Sequence, residues 1–399
     1  MKEKVVLAFS GGLDTSYCAI YLAQEMGLEV HAAIVNTGGF SKEELQEIAK
    51  KANLLKVASF TVLEATEIYY RQCVKYLIFG NVLKNNTYPL SVSAERVVQA
   101  MQIVDYAHAI GAKHVAHGST GAGNDQVRFD LIFRVMAPDL SVITPIRDQR
   151  LSREQEVAYL VANGIDQTWT KAKYSINKGL WGTSVGGAET LTSDGILPNE
   201  AYPSQPTANA PRKIILHFRQ GEPVGIDGKL FENPYQAIQE LGEIASAFAI
   251  GRDTHVGDTI IGIKGRVGFE APASLITIKA HHLLEKHVLT KWQAYWKEQL
   301  GNWYGMMLHE GLYLDPVMRN IEKFLEDTQQ CVTGEVDVLL EPYHYQVLGI
   351  RSPHDLMASK FGSYGEMNLS WSGEDVKGFT KIISNQLSIY HQVNSMQHD

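Results

Sequence analysis

Five apolar residues, Val5 to Phe9, run directly into Ser10-Gly11-Gly12-Leu13-Asp14-Thr15-Ser16. A short unbroken apolar run is the pattern of a strand buried on both faces. Tyr17 to Met26 then has helical periodicity, with Gly27 just past its end as a stop signal. Glu29 to Val35 resumes strand character. Strand, tight loop, helix, strand is a parallel βαβ unit, and few folds begin that way.

The loop chemistry follows from its composition. Gly11 and Gly12 let the backbone approach an anion closely, and the N–H groups and dipole of the following helix favour negative charge there. Ser10, Thr15 and Ser16 add hydroxyl donors. The predicted ligand is a phosphate or pyrophosphate. The competing reading is a Gly-Gly turn with a hydroxyl cap, and the strand before and Leu-Asp-Thr-Ser after weigh against it. No GxxxxGK[ST] supplies a lysine for γ-phosphoryl transfer, and no GxGxxG follows the strand.

The alternation continues. Ser41 and Glu44 form a capping-box pattern before SKEELQEIAKKA, and Ser152 with Gln155 repeats it. Val97 to Ile110 reads as a helix, and HVA at 114–116 and VITP at 142–145 as strands. The first ~165 residues therefore predict a doubly wound α/β domain. Residues 171–211 turn rich in Gly, Ser, Thr and Pro. Hairpins are predicted at 212–231, with Asp227-Gly228 as turn, and at 335–350. Helices are predicted at 234–249, 278–300 and 315–329, so the second half is α+β. A final amphipathic helix, 374–393, carries Val376, Phe379, Ile382, Ile383, Leu387, Tyr390 and Val393, a face suited to another subunit or to its own domain.

Composition narrows the partners. Lys plus Arg total 36 against 44 Asp plus Glu, a formal charge of −8, which argues against non-specific nucleic-acid binding. Cys18, Cys73 and Cys331 are far apart and form no CxxC pair, as expected of a reducing compartment. No apolar stretch reaches membrane-spanning length, and the start does not read as a signal peptide. A cytoplasmic protein without membrane contact is expected.

A second Gly-rich loop, AHGSTGAGNDQVRFD at 116–130, follows a strand and offers Asn124, Asp125 and Arg128 within five positions. Guanidinium can grip a carboxylate and carboxylate an ammonium, so this loop suits a zwitterionic amino acid. A Gly-rich surface loop with a capping Asn is the plainer alternative.

The first loop resembles the SGGxDS-like loop of N-type ATP-pyrophosphatases, which cleave ATP between the α and β phosphates. The second resembles the HGxTGxGNDQxRFE segment of the argininosuccinate synthase family. Tyr88-Pro89-Leu90 with Ser93 and Arg96, YSIN with LWG and Ser184 at 174–184, and IGIK through EAP at 261–272 are similar to further segments of that family, in order. The resemblance implies a nucleotide-binding domain at 1–168, an α+β synthetase domain at 169–365 and a C-terminal tail with an oligomerisation helix at 366–399. It implies ATP at Ala8, Phe9, Ser10, Gly11, Gly12, Leu13, Asp14, Thr15, Ser16, Val35 and Gly118. It implies aspartate at Thr120, Asn124 and Asp125, and citrulline at Tyr88, Ser93, Asn124, Arg128, Ser175 and Ser184. It further implies Mg2+ with the ATP, a homotetramer and arginine biosynthesis. Asp14 and Asp125 are candidate magnesium neighbours or bases; no protein-held metal site is expected. A sibling adenylating synthetase and a non-catalytic nucleotide sensor are the other classes weighed.

Three positions depart from the family pattern. Ala122 replaces a loop lysine, leaving charge to be balanced elsewhere. Gly257 and Phe269 stand where the family has a Glu and a Tyr facing citrulline. Either another acid, such as Glu189 or Glu270, pairs with the acceptor's ammonium, or the acceptor is an Nα-acylcitrulline. Elsewhere, His281, His282 and His287 lack metal-site spacing and read as structural or surface histidines. Trp292, Tyr295, Trp296, Trp303 and Tyr304 read as packing or subunit contact.

Overall fold

Val5 and Leu7 of the first strand face one apolar core, and Val6 between them faces another. That alternation fixes the architecture of the first half: a sheet covered by helices on both faces. The computed structural model describes residues 2–165, 169, 173–362, 364–366 and 370–395. Its elements begin β1 (Lys4–Ala8), α1 (Leu13–Gln24), β2 (Glu29–Asn36), α2 (Lys42–Leu54) and β3 (Ser59–Glu64). Next come α3 (Thr66–Tyr69), which runs through a π-helical turn into α4 (Lys75–Phe79), then α5 (Glu95–Ala109) and β4 (His114–His117). α6 (Asp125–Met136), β5 (Ser141–Ile143), α7 (Pro145–Gln149) and α8 (Arg153–Ala162) complete this half. The strand order is β3-β2-β1-β4-β5 and every pair is parallel. Chain order reverses between β1 and β4, and ligands of such sheets bind outside the carboxyl ends of the strands at that point.

Both sequence-predicted capping boxes are present, at Ser41/Glu44 and Ser152/Gln155. The first helix starts earlier than its periodicity indicates. Gly12 is its extended N-cap, and Leu13 is buried, so Asp14, Thr15 and Ser16 lie in the first turn rather than in a loop.

The second half holds β6 (Ser175–Gly179), β7 (Gly182–Gly186), β8 (Arg212–Arg219), β9 (Glu222–Ile226) and β10 (Lys229–Leu230). It continues with α9 (Pro234–Ser246), β11 (Arg252–Asp258), β12 (Lys264–Glu270), α10 (Pro272–Val288) and α11 (Lys291–His309). α12 (Pro316–Thr328), β13 (Gly334–Glu341) and β14 (His344–Arg351) follow. Two antiparallel sheets result, β10-β9-β8-β13-β14 and β11-β12-β7-β6. The hairpin expected at 212–231 turns at Gln220-Gly221, both with positive φ; Asp227-Gly228 instead closes β9 onto β10. Both dipeptides satisfy the left-handed requirement of a two-residue turn, so two tight turns fit where one is expected. The helix expected at 278–300 is two helices, because Thr290 is an extended N-cap with a capping box to Gln293. The strands at 175–186 and 252–270 are short and Gly-interrupted, and periodicity does not reveal them.

Residues 1–353 form one compact unit and 354–399 a second. The second contains α13 (Gly373–Ile383) and α14 (Asn385–Ser395), where a single helix is expected; the break is at Ser384. All seven apolar residues of the expected face are exposed. Among the described residues no helix is long and apolar enough to cross a membrane. Cys18 and Cys73 are buried and Cys331 exposed, none in a disulfide.

The core of the first unit contains a polar knot. Lys297 Nζ lies 2.8 Å from Glu285 Oε2 and donates to the Phe79 carbonyl at 2.7 Å. Asn81 and Gln329 amides also donate to Glu285. His281 is fully buried beside them, and burial, partly offset by Glu285, lowers it to about 4. Removing one partner of such a pair leaves an uncompensated buried charge. Lys297→Met therefore destabilises the fold by about 3–5 kcal/mol, and adding Glu285→Gln recovers a large part of the loss. Denaturant midpoints of the two variants check this.

Candidate functional site

The loop after β1 and the loop after β4 meet at the carboxyl edge of the parallel sheet. A Cβ on Gly118 would lie 3.2 Å from both the Asp14 side chain and the Thr15 nitrogen, so the loops touch through a glycine. Gly11 has φ +72, which favours glycine and lets the chain turn into α1. The first-turn N–H groups of α1 have no intrahelical acceptor. Ser16 turns inward and donates to the Gly12 carbonyl at 2.8 Å.

A cavity of about 550 Å3 opens over this cradle. All residues expected at ATP line it except Gly11 and Ser16. Phe40, Ile103 and Phe129 add apolar wall of the kind a base needs. A second cavity, of about 540 Å3, adjoins it. Thr120, Asn124, Asp125, Arg128, Tyr88, Ser93, Ser175 and Ser184 all line this one. Asp14, Arg96, Ser119, Asp125 and Asn177 line both, so they form the shared wall.

An ionic chain runs along that wall. Thr37 Oγ1 donates to Glu95 Oε2 at 2.8 Å, and Arg96 donates to Glu95 Oε1 at 2.8 Å and to Asp125 Oδ2 at 3.0 Å. Arg128 donates to Asp125 Oδ1 at 2.9 Å and, through Nε, to the His309 carbonyl at 2.9 Å. Burial pushes Asp125 upward, but Arg96 and Arg128 outweigh it and hold the carboxyl below its usual range. Burial raises Glu95 to about 7 against the pull of Arg96 and Thr37. The loop residue Ser119 is set by a relay: its N–H donates to His117 Nδ1, and His117 Nε2 lies 3.0 Å from Asp130, itself held by Arg147.

Arg128 spends most of its guanidinium on the protein itself. Its fork is occupied by Asp125 and a backbone carbonyl, and one nitrogen, NH2, is left buried without a partner. Ser93 Oγ and the Nδ1 atoms of His255 and His309 are likewise buried and unpartnered. Four unpaired polar atoms around one cavity are the mark of a polar-ligand site, since such atoms are otherwise destabilising. Burial, then Arg128 and Lys84, lower His309 to about 3; burial and Lys84 also lower His255. Behind the cradle, burial and then Asp14 raise Glu156 to about 8.

Gly257 lines the second cavity on β11, whereas Phe269 is fully buried against Tyr88, with ring centroids 5.4 Å apart. Neither acid considered as a replacement lines the cavity. Glu270 is buried in an ion pair with Arg252 at 2.9 Å, and Glu189 accepts from Tyr174. His255, His309, Ser119 and Asn177 also line the cavities; Ser119 and Asn177 fall inside the family-like segments without an assigned ligand, and the two histidines fall outside them. The histidines come from β11 and the end of α11, 125 residues or more beyond the 116–130 loop, with no motif spacing to mark them.

The first 163 residues of the match, 4–166, fit the model described as the arginosuccinate synthase N-terminal HUP domain, and residues 174–390 fit the arginosuccinate synthase C-terminal domain. The argininosuccinate synthase of Methanocaldococcus jannaschii is 35% identical over 393 residues, covering 98% of each chain. That of Dictyoglomus thermophilum is 36% identical over 391 residues, again 98% of each. That of Staphylococcus carnosus is 34% identical over 410 residues, covering 100% of this chain and 98% of the relative. Family models span both halves and these relatives match end to end, so the chain belongs to the argininosuccinate synthase family of ATP-dependent ligases.

Proposed function

We propose that ATP binds in the first cavity with its β and γ phosphates on the Gly12–Thr15 cradle, and that a ureido amino acid of the citrulline type and aspartate share the second. The ureido oxygen forms a bond to the α phosphorus while the bond to the β-phosphate oxygen breaks, and pyrophosphate leaves with that electron pair. The aspartate amine then attacks the ureido carbon, the carbon–oxygen bond to AMP breaks, and the nitrogen gives up a proton. With free citrulline the products are argininosuccinate, AMP and pyrophosphate.

The observation that carries this reading is the shared wall. A nucleotide seated on the cradle brings its α phosphate to Asp14, Ser119 and Asp125, where the acceptor cavity begins. Catalysis then rests on alignment and charge stabilisation. Asp125, open to the cavity on one side, suits the aspartate amine; Arg128 NH2 and Ser93 suit an acceptor carboxylate. Asp14 fits as the protein's oxygen donor beside magnesium, because its carboxylate lines both cavities in the first turn of α1. Magnesium bound with the triphosphate neutralises phosphate charge, a balance relevant to a loop with Ala122 in place of lysine. Residues 1–168 act as the nucleotide domain, 169–365 as the substrate domain, and the exposed apolar residues of the 366–399 tail pack on neighbouring copies in a cytoplasmic homotetramer.

Nucleotide products test the reading directly. Incubation with ATP, aspartate and a citrulline acceptor yields AMP and pyrophosphate in equal amounts; ADP and phosphate would refute it. Gly118→Ala forces a methyl between the two loops and raises KM for ATP about tenfold, with little change in KM for aspartate. Asp125→Asn leaves two guanidiniums facing each other and lowers kcat/KM for aspartate by about 100-fold, measured by coupled pyrophosphate release.

A further inference from the structure

The reaction proposed above sets the direction of the acceptor. Its ureido end must reach the shared wall, so its α-carbon end lies at the far side of the second cavity, against β11 and β12. That end is made of two cross-strand pairs, His255 opposite Val267 and Gly257 opposite Gly265. The glycine pair leaves a strip of wall without side chains. The strip is bounded by His255, whose Nε2 would lie 2.6 Å from a Cβ on Gly257.

The charges at this end are one-sided. Among the described residues the carboxylates lining the cavity are Asp14, Asp125 and Asp258. Asp14 and Asp125 lie on the shared wall, away from the strip, and in the reaction proposed above Asp125 serves the aspartate amine. Asp258 is 67% exposed at the rim and paired with Lys264 at 2.6 Å. The cationic side chains lining the same cavity include Arg128, with an unpartnered nitrogen, and Arg266, whose guanidinium is turned to the carbonyls of Glu189, Thr192 and Gly195. Two imidazoles, His255 and His309, are held neutral in the same field by burial, with Lys84 and Arg128 beside them. A free α-ammonium entering here would lose its hydration without an unpaired carboxylate to replace it. A neutral amide would meet donors and acceptors that match its own.

We propose that the acceptor is an Nα-acylated citrulline, with its acyl group on the Gly257–Gly265 strip and its amide against His255. The acylated nitrogen carries no charge to be balanced. Gly265 supplies the room, with only Thr259 within 4 Å of a Cβ placed there, and the Nε2 edge of His255, whose ring stacks 5.0 Å from Tyr88, lies over Gly257 as a hydrogen-bonding edge.

The test uses the full-length enzyme with ATP and aspartate, and compares pyrophosphate release with citrulline, Nα-acetylcitrulline and Nα-succinylcitrulline. At least one acylated form should exceed free citrulline tenfold or more in kcat/KM. Gly257→Glu, which puts both bulk and a carboxylate on the strip, should reverse that order. Equal or faster turnover of free citrulline by the unaltered enzyme overturns the inference and leaves the condensation reaction standing. Pyrophosphate release with none of the three overturns the reaction and the inference with it. Should Gly257→Glu fail to fold, the comparison on the unaltered enzyme still decides.

Discussion

Asp125 accepting from Arg96 on one side and Arg128 on the other is the contact on which the site depends. It joins α5 to α6, and through Arg128 it reaches the last residue of α11. Through Arg96 and Glu95 it reaches Thr37, just past the second strand of the nucleotide sheet. One carboxylate thus fixes helices that are far apart in sequence around the junction of two cavities. Charge-assisted hydrogen bonds in a partly buried setting are stronger than neutral ones, which suits a scaffold that must hold substrates without moving.

The sheet decides where that junction lies. Because strand order reverses between β1 and β4, the loops leaving those two strands diverge and leave a crevice between them. Gly118 allows the loops to touch at its base. The second half closes the crevice from above: Asn124 Oδ1 accepts from the Ile260 nitrogen in the β11–β12 connection, and Asn85 donates to the Val256 carbonyl. The nucleotide end is therefore built by local sequence, and the acceptor end by long-range packing.

That division explains what could be read in advance. The β1–loop–α1 unit, both capping boxes and the 116–130 loop are local, and each follows from spacing within about fifteen residues. The start of α1 was harder, because Asp14, Thr15 and Ser16 are polar residues that read as loop until Gly12 is seen to be the cap. The occupied fork of Arg128 was not legible, since its partners Asp125 and the His309 carbonyl combine a near neighbour with one 181 residues away. The same holds for β11 and β12, whose glycines break the alternation that marks strands and whose inward face carries the acceptor wall. Family resemblance located Gly257 and Phe269 as departures, but only packing separates them: the first lines the cavity and the second is buried beneath Tyr88.

The central claim is that a ureido oxygen attacks the α phosphorus at the shared wall. An acceptor labelled with 18O at the ureido oxygen tests it most directly. One labelled oxygen should appear in the phosphate of AMP per turnover, with none in pyrophosphate. Label recovered in inorganic phosphate or in water, with unlabelled AMP, would contradict the account.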